Sequence, residues 1–417
     1  MSSNLLDEKY KKYIINKIPI LNNIINNNET LLDIIIDYCT LKSTKFQYKD
    51  DVIIILKKIN NELKNYVNMN NNINLNLNSK RYNSNTNKKN NKFLKIQNIN
   101  ALNLIEAIIS FTYDYYIKDE NKNEKIYENF LINNKKMIIK MINLKNKNAI
   151  SLDDFIKDLY NSDCNDITKN QKLLNILIEV SKKLNHLQEK YGLIHGDLHS
   201  LNIFLIPLNN IYFIQLIDFG LSSIILPTKD INNKIILEMP VYINIERSNR
   251  LNIFKDDRLK CIDLFRLIQY LYSRIFNNIK IKCIDEYSNF IKKLYNMTNF
   301  NEKIEKSHEY SKTKNFINQI NNDSILYPEN FMKLNINNIY QTPIKSKKKL
   351  SPFYNSHNLI KSTQKLSLIK TPPKKLIFEN ENNKEYLTPP KRLSFENNNN
   401  GYSTPKKQKK NYIFSTP

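Results

Sequence analysis

Tryptophan is absent from this 417-residue chain, and glycine occurs only four times, at Gly192, Gly196, Gly220 and Gly401. Soluble proteins use glycine at about 7%, so each one present is informative. Cysteine is equally scarce. Cys39, Cys164, Cys261 and Cys283 lie far apart with no CxxC pair. That excludes a disulfide framework and a zinc cluster, and suits buried thiols in a reducing compartment. Long apolar runs are missing too. Leu31–Ile36, broken by Asp33, and Ile53–Leu56 fall well short of the ~20 residues of a membrane span, so no span is expected. The N-terminal MSSNLLDEKYKK has no apolar core behind a basic start and does not read as a secretory leader.

Acidic residues are outnumbered, 40 Asp/Glu against 64 Lys/Arg, for a net charge of +24. Asparagine, isoleucine and lysine dominate, the skew that an AT-rich genome imposes, so charge alone names no partner. At ~100–200 residues per domain the length allows two or three domains. Residues 1–67 have apolar positions at mixed three- and four-residue spacing and predict a helical N-terminal extension, interrupted at Pro19. An Asn-rich linker covers 68–92. Residues 93–300 hold three of the four glycines and the densest apolar periodicity. A connecting segment, 301–340, leads to a tail at 341–417, expected to be disordered.

The sharpest motif is Ile194-His-Gly-Asp-Leu-His-Ser-Leu-Asn-Ile203. Before it, Leu173, Leu177, Val180, Leu184 and Leu187 form one helical stripe, and Gly192 stands where a C-cap is wanted. After it, Asn202–Ile206 and Ile211–Ile217 read as a hairpin across Pro207–Asn210, ending in Asp218-Phe219-Gly220. The order is helix, acidic loop, strand, turn, strand, Asp-Phe-Gly.

His195, Asp197 and Asn202 at HxDxxxxN spacing, followed by DFG, resemble the catalytic and metal-binding loops of the protein-kinase-like superfamily. The resemblance covers roughly residues 90–300. It implies an α+β fold of two lobes, a small β-rich N-lobe and a larger helical C-lobe. It also implies an ATP- and Mg²⁺-dependent serine/threonine protein kinase acting on a protein substrate. Phosphoryl transfer needs positioning and charge neutralisation rather than covalent help. The catalytic set would be Asp197, His195 and Asn202, with Asp197 orienting the acceptor hydroxyl and taking its proton. Asn202 and Asp218 would hold Mg²⁺ against the ATP phosphates, as oxygen ligands suit a hard cation. Asp263 would brace the catalytic-loop backbone, and Glu246 is a candidate for the glutamate closing the activation segment. Lys95, in the strand-like Lys92-Phe-Leu-Lys-Ile-Gln97, is the candidate ATP lysine. Its carboxylate partner is Glu106, with Glu124 and Glu128 as alternatives.

The sequence also departs from the family pattern. No glycine precedes Gly192, so a glycine-rich phosphate loop in its usual form is excluded. Gly196 replaces the usual arginine, which predicts activity without phosphorylation of the activation segment, despite Ser222, Ser223 and Thr228 nearby. His199 replaces the usual lysine. HGDLH is closer to aminoglycoside and choline phosphotransferases, which keeps a small-molecule substrate open. The missing glycine loop keeps a pseudokinase scaffold open. The long N-terminal extension and compositional bias are similar to those of serine/threonine kinases of large DNA viruses.

The tail carries 16 Lys/Arg against 4 Asp/Glu, a net +12. Its clusters Lys345–Lys349 and Pro405–Lys410 suit weak polyanion or nucleic-acid contact, or nuclear import. Thr342, Ser351, Thr371, Thr388 and Thr404 each precede proline and suit a proline-directed kinase. The expected location is cytoplasmic or nuclear, or a virion for a viral source.

Overall fold

A computed structural model describes residues 2–25, 28–41, 45–70, 92–118, 126–133, 136–208, 211–230, 232–239, 256–276, 280–299 and 318–341. It also gives the backbone of 377–380 and 383–386. The described chain is α+β, with many helices and small antiparallel sheets. None of its helices is long and apolar enough to cross a membrane.

The chain opens with α1 (Glu8–Lys17), α2 (Leu31–Thr40) and α3 (Lys45–Asn70). Asp7 caps α1, its side chain accepting from the Tyr10 N–H, and Pro19 starts a separate 3-10 turn. Thr30 and Asp33 form a reciprocal capping box on α2. Next come β1 (Lys92–Asn98), α4 (Ala101–Lys118), β2 (Tyr127–Asn133) and β3 (Lys136–Ile142). The strands form one antiparallel sheet in the order β1-β3-β2, with Lys95 opposite Ile139.

Helix α4 is buried on nearly every face, from Ala101 to Asp114. A helix of that kind requires cover all round. The N-terminal helices supply part of it. Tyr10 OH meets Thr112 Oγ1 at 2.7 Å in the core, and Asn60 Oδ1 accepts from the Ala101 N–H at 2.8 Å, at the start of α4. The segment expected to be an extension is thus packed into the same core as the sheet and α4.

The rest of the core comprises β4 (Ile150–Ser151), α5 (Leu152–Asn161), α6 (Asp166–Tyr191), the hairpin β5 (Ile203–Leu208) and β6 (Ile211–Leu216), then β7 (Ser223–Leu226) and β8 (Ile235–Glu238). It continues with α7 (Cys261–Phe276) and α8 (Ile284–Met297), and with the short helices α9 (Pro328–Phe331) and α10 (Ile336–Gln341). The predicted stripe on α6 is buried along its length. Gly192 ends the helix at φ +58°, with Gly192 N–H on Gln188 O and Leu193 N–H on Leu187 O. Residues 318–340, within the expected connector 301–340, bury Leu326, Phe331 and Ile339, and Asn170 Nδ2 donates to Tyr340 OH at 2.7 Å.

The N-terminal segment also fastens the β7–β8 hairpin. Tyr38 OH donates to Glu238 O at 2.7 Å, Asp7 N–H to Pro227 O at 3.0 Å, and Lys229 N–H to Leu5 O at 3.1 Å. Tyr38→Phe is therefore expected to lower stability by about 1 kcal/mol. The check is the urea midpoint at unchanged slope; an unmoved midpoint would count against this fastening.

Cys39 and Cys261 are buried as expected, while Cys164 and Cys283 are only half-buried. Burial pushes the Cys261 thiol up. Asp166, Cys283 and Glu286 approach one another, but Lys169 already engages them, with Nζ 2.9 Å from Cys283 Sγ and 3.7 Å from Asp166. In the tail, β9 (Ile377–Asn380) and β10 (Asn383–Tyr386) pair as an antiparallel hairpin. This local order was not expected there; Ile377 and Phe378 give the segment strand-forming residues. The basic clusters, the Ser/Thr-Pro sites and most of the 68–92 linker lie outside the described residues.

Candidate active site

Side chains alternate along a strand, so Lys95 and Gln97 share the buried face of β1 while Ile96 is exposed. The corner into α4 is tight. Asn100 Oδ1 accepts from the Asn103 N–H at 2.8 Å, and Asn103 Nδ2 donates to Asn98 O at 2.7 Å. This brings Glu106 over β1. The Lys95 ammonium donates to Glu106 Oε1, and it also reaches Asp218 Oδ1 at 3.1 Å. Gln97 Nε2 takes the other Glu106 oxygen at 2.9 Å. Burial by itself would lower the Lys95 pKa; Asp218 and Glu106 reverse this and hold it above the usual lysine range. Of the two candidate carboxylates among the described residues, Glu106 is the one paired with Lys95. Glu128 lies on β2, where its backbone carbonyl accepts from Lys17, and Glu124 lies outside the described residues, as does Glu246.

The loop after α6 is held from two sides. On one side, Ile194 and Ser223 exchange backbone hydrogen bonds of 3.0 and 2.9 Å. On the other, Asp263 of α7 accepts from the His195 N–H at 3.0 Å and the Gly196 N–H at 2.8 Å. Gln188 Nε2 donates to Lys260 O at 3.1 Å and lies 3.4 Å from Asp263 Oδ2. Burial pushes the Asp263 carboxyl up, against the pull of the His195 ring and these donors. Gly196 sits at φ +73°, and a Cβ there would stand 2.2 Å from Leu221 O. Its glycine is a steric requirement, and no arginine fits this backbone.

His195 is buried, with Nε2 donating to Ile217 O at 2.9 Å and its ring 5.3 Å from Phe219. Phe219 in turn packs 4.8 Å from the Tyr113 ring of α4. The His195 side chain is thus engaged within the core by a backbone carbonyl and an aromatic ring. Asp197 is partly exposed at the loop's mouth. Asn202 Nδ2 donates to Asp197 O at 3.0 Å, and Ile217 N–H donates to Asn202 O at 3.1 Å, tying the two acidic segments together. Asp218 adopts φ +66°, a strained conformation for a non-glycine residue and one that concentrates at functional sites. His199 stacks on Tyr270 with ring centroids 4.9 Å apart, and Nε2 lies 4.0 Å from Asp197 Oδ2. Ser200 Oγ donates to Asp153 Oδ1, which Arg274 of α7 also engages through Oδ2 at 3.1 Å.

One buried ammonium, the Glu106 and Asp218 carboxylates and the Gln97 amide thus come together, while Asn202 links the Asp197 loop to Ile217, the residue before Asp218. The amide oxygen of Asn202 and the Asp218 carboxylate offer hard oxygen donors of the kind Mg²⁺ takes. The Lys95 ammonium is a buried positive charge held between Glu106 and Asp218. Gln97 was not anticipated as part of the site; its signal was the two-residue spacing from Lys95. No protein-family model matches the chain, and no curated protein matches it.

Proposed function

We propose that the chain is an ATP- and Mg²⁺-dependent phosphotransferase of protein-kinase-like fold, acting on serine or threonine of a protein. The β1-β3-β2 sheet with α4 is the small lobe, and the helices from α5 onward form the large one. The observation that carries this is the Lys95–Glu106–Asp218 cluster, whose members lie 11 and 123 residues from Lys95. A surface lysine has no reason to be buried between two such carboxylates, since burying charges is costly unless they are paired. Mg²⁺, held by Asn202 and Asp218, would neutralise phosphate charge. Lys95 would orient the nucleotide phosphates, and Asp197 would accept the hydroxyl proton.

Ser222 and Ser223 are buried, and Ser222 Oγ donates to His195 O at 2.7 Å, so neither is open to a kinase. Thr228 is only half-buried, with Oγ1 donating to Asp230 O at 2.8 Å, so activity without phosphorylation of the segment after Asp218 is supported by the glycine at position 196 rather than by burial of every candidate site. The basic tail would add weak, salt-sensitive contact with polyanions.

The test is transfer from radiolabelled ATP in the presence of Mg²⁺ by the full-length chain. Label is expected in protein serine or threonine from a mixed extract, and none in sugars or amines. Label confined to sugars or amines would favour the small-molecule phosphotransferase that HGDLH suggests. ATP binding without any transfer would favour a pseudokinase.

A further inference from the structure

We propose that Gln97 is a positioning residue for Glu106 and, through it, for Lys95; the inference rests on the phosphotransfer function above. Glu106 is buried, and both of its oxygens are engaged, Oε1 by Lys95 and Oε2 by Gln97 Nε2 at 2.9 Å. A carboxylate gripped by one ammonium can still swivel and present either oxygen. A grip on the second oxygen fixes its plane.

The chemistry of the grip matters. A primary amide donates without carrying charge. It therefore secures Glu106 without competing for the negative charge that Lys95 needs, and Lys95 keeps its reach to Asp218 Oδ1 at 3.1 Å. An arginine or lysine at position 97 would add a second cation to the same carboxylate. The orientation of the amide also carries a cost. Gln97 Oε1 is buried and has no hydrogen-bond partner among the described residues. Leaving a buried acceptor unpaired is unfavourable, so the Nε2 donation to Glu106 outweighs satisfaction of the carbonyl. Strand alternation makes the arrangement possible, since positions 95 and 97 face the same side. Glu106 is thereby held by two residues of one strand.

A double-mutant cycle tests this in the full-length chain. Gln97→Met and Gln97→Glu are made with Glu106 intact and in a Glu106→Ala background. Calorimetry with Mg-ATP gives Kd, and transfer assays give kcat and KM. With Glu106 intact, Gln97→Met is expected to weaken Mg-ATP binding or lower kcat about tenfold, equivalent to about 1.4 kcal/mol. Gln97→Glu should lose more, because a second carboxylate repels Glu106 and competes for Lys95. In the Glu106→Ala background the Gln97→Met effect should fall below twofold. Equal losses in the two backgrounds, or a Gln97→Met variant that melts lower but binds and transfers as wild type, would overturn the inference. If Gln97→Met does not fold, Gln97→Asn, which withdraws the amide by one methylene, carries the same cycle. A wild-type chain that neither binds Mg-ATP nor transfers phosphate overturns the phosphotransfer function and the inference with it. Wild-type activity with additive losses overturns the inference alone.

Discussion

Gly196→Ala is expected to destabilise the protein by about 2–5 kcal/mol and to lower phosphotransfer by about a hundredfold. Two costs combine at this position. The backbone is at φ +73°, where an L side chain is strained, and the new Cβ would sit 2.2 Å from Leu221 O. That oxygen belongs to backbone and cannot turn aside like a flexible side chain. Leu221 adjoins Ser222, which is bonded to His195 O, so relief of the clash would shift the loop carrying Asp197. Displacing a reacting group by about 1 Å can cost a hundredfold in rate. Gly196→Arg should behave no better, since it meets the same clash before its guanidinium reaches anything. Urea unfolding and initial rates check both effects. Wild-type stability in Gly196→Ala would mean that the close approach to Leu221 is absent.

Asp263→Ala should have an effect of similar size for a different reason. The carboxylate accepts from two backbone N–H groups, those of His195 and Gly196, in a fully buried setting. Truncation leaves both donors without partners, at roughly 1–3 kcal/mol each. A loss of about 2–5 kcal/mol is expected, with a fall in kcat larger than any change in KM for ATP. Asp263→Asn keeps one oxygen acceptor and should fall between wild type and alanine. If Asp263→Asn and Asp263→Ala were indistinguishable from wild type in kcat, Asp263 would not be positioning the loop.

The elements around the acidic loop were legible because their signals are local. The stripe from Leu173 to Leu187, the glycine at 192 and the apolar runs flanking Pro207 each depend on residues a few positions apart. Lys95 and Glu106 were reached through what the kinase-like resemblance implies, one on a strand-like run and the other on a nearby helical segment. Gln97 was missed because a polar residue in Lys92-Phe-Leu-Lys-Ile-Gln97 reads as solvent-facing until Lys95 is known to point inward. The role of Gly196 was only half legible. The sequence shows that arginine is missing, but the collision with Leu221 is a tertiary fact. The packing of α1, α2 and α3 was hidden for the same reason. Amphipathic spacing reveals a face that must be buried, not what covers it. The one available hint was α4 itself, since Leu102–Phe111 is apolar on every side apart from Asn103, Glu106 and Ser110.

The most direct measurement of the central claim compares single-turnover transfer of γ-phosphate from Mg-ATP by the wild-type chain and by Asp197→Asn. The substitution keeps the shape of a partly exposed loop side chain and removes its basicity, so melting temperature should not change. Loss of a positioned general base typically costs about 10²–10⁴-fold in rate, and a fall within that range, at unchanged Mg-ATP affinity, is the predicted result. Equal transfer rates for the two proteins would contradict the account.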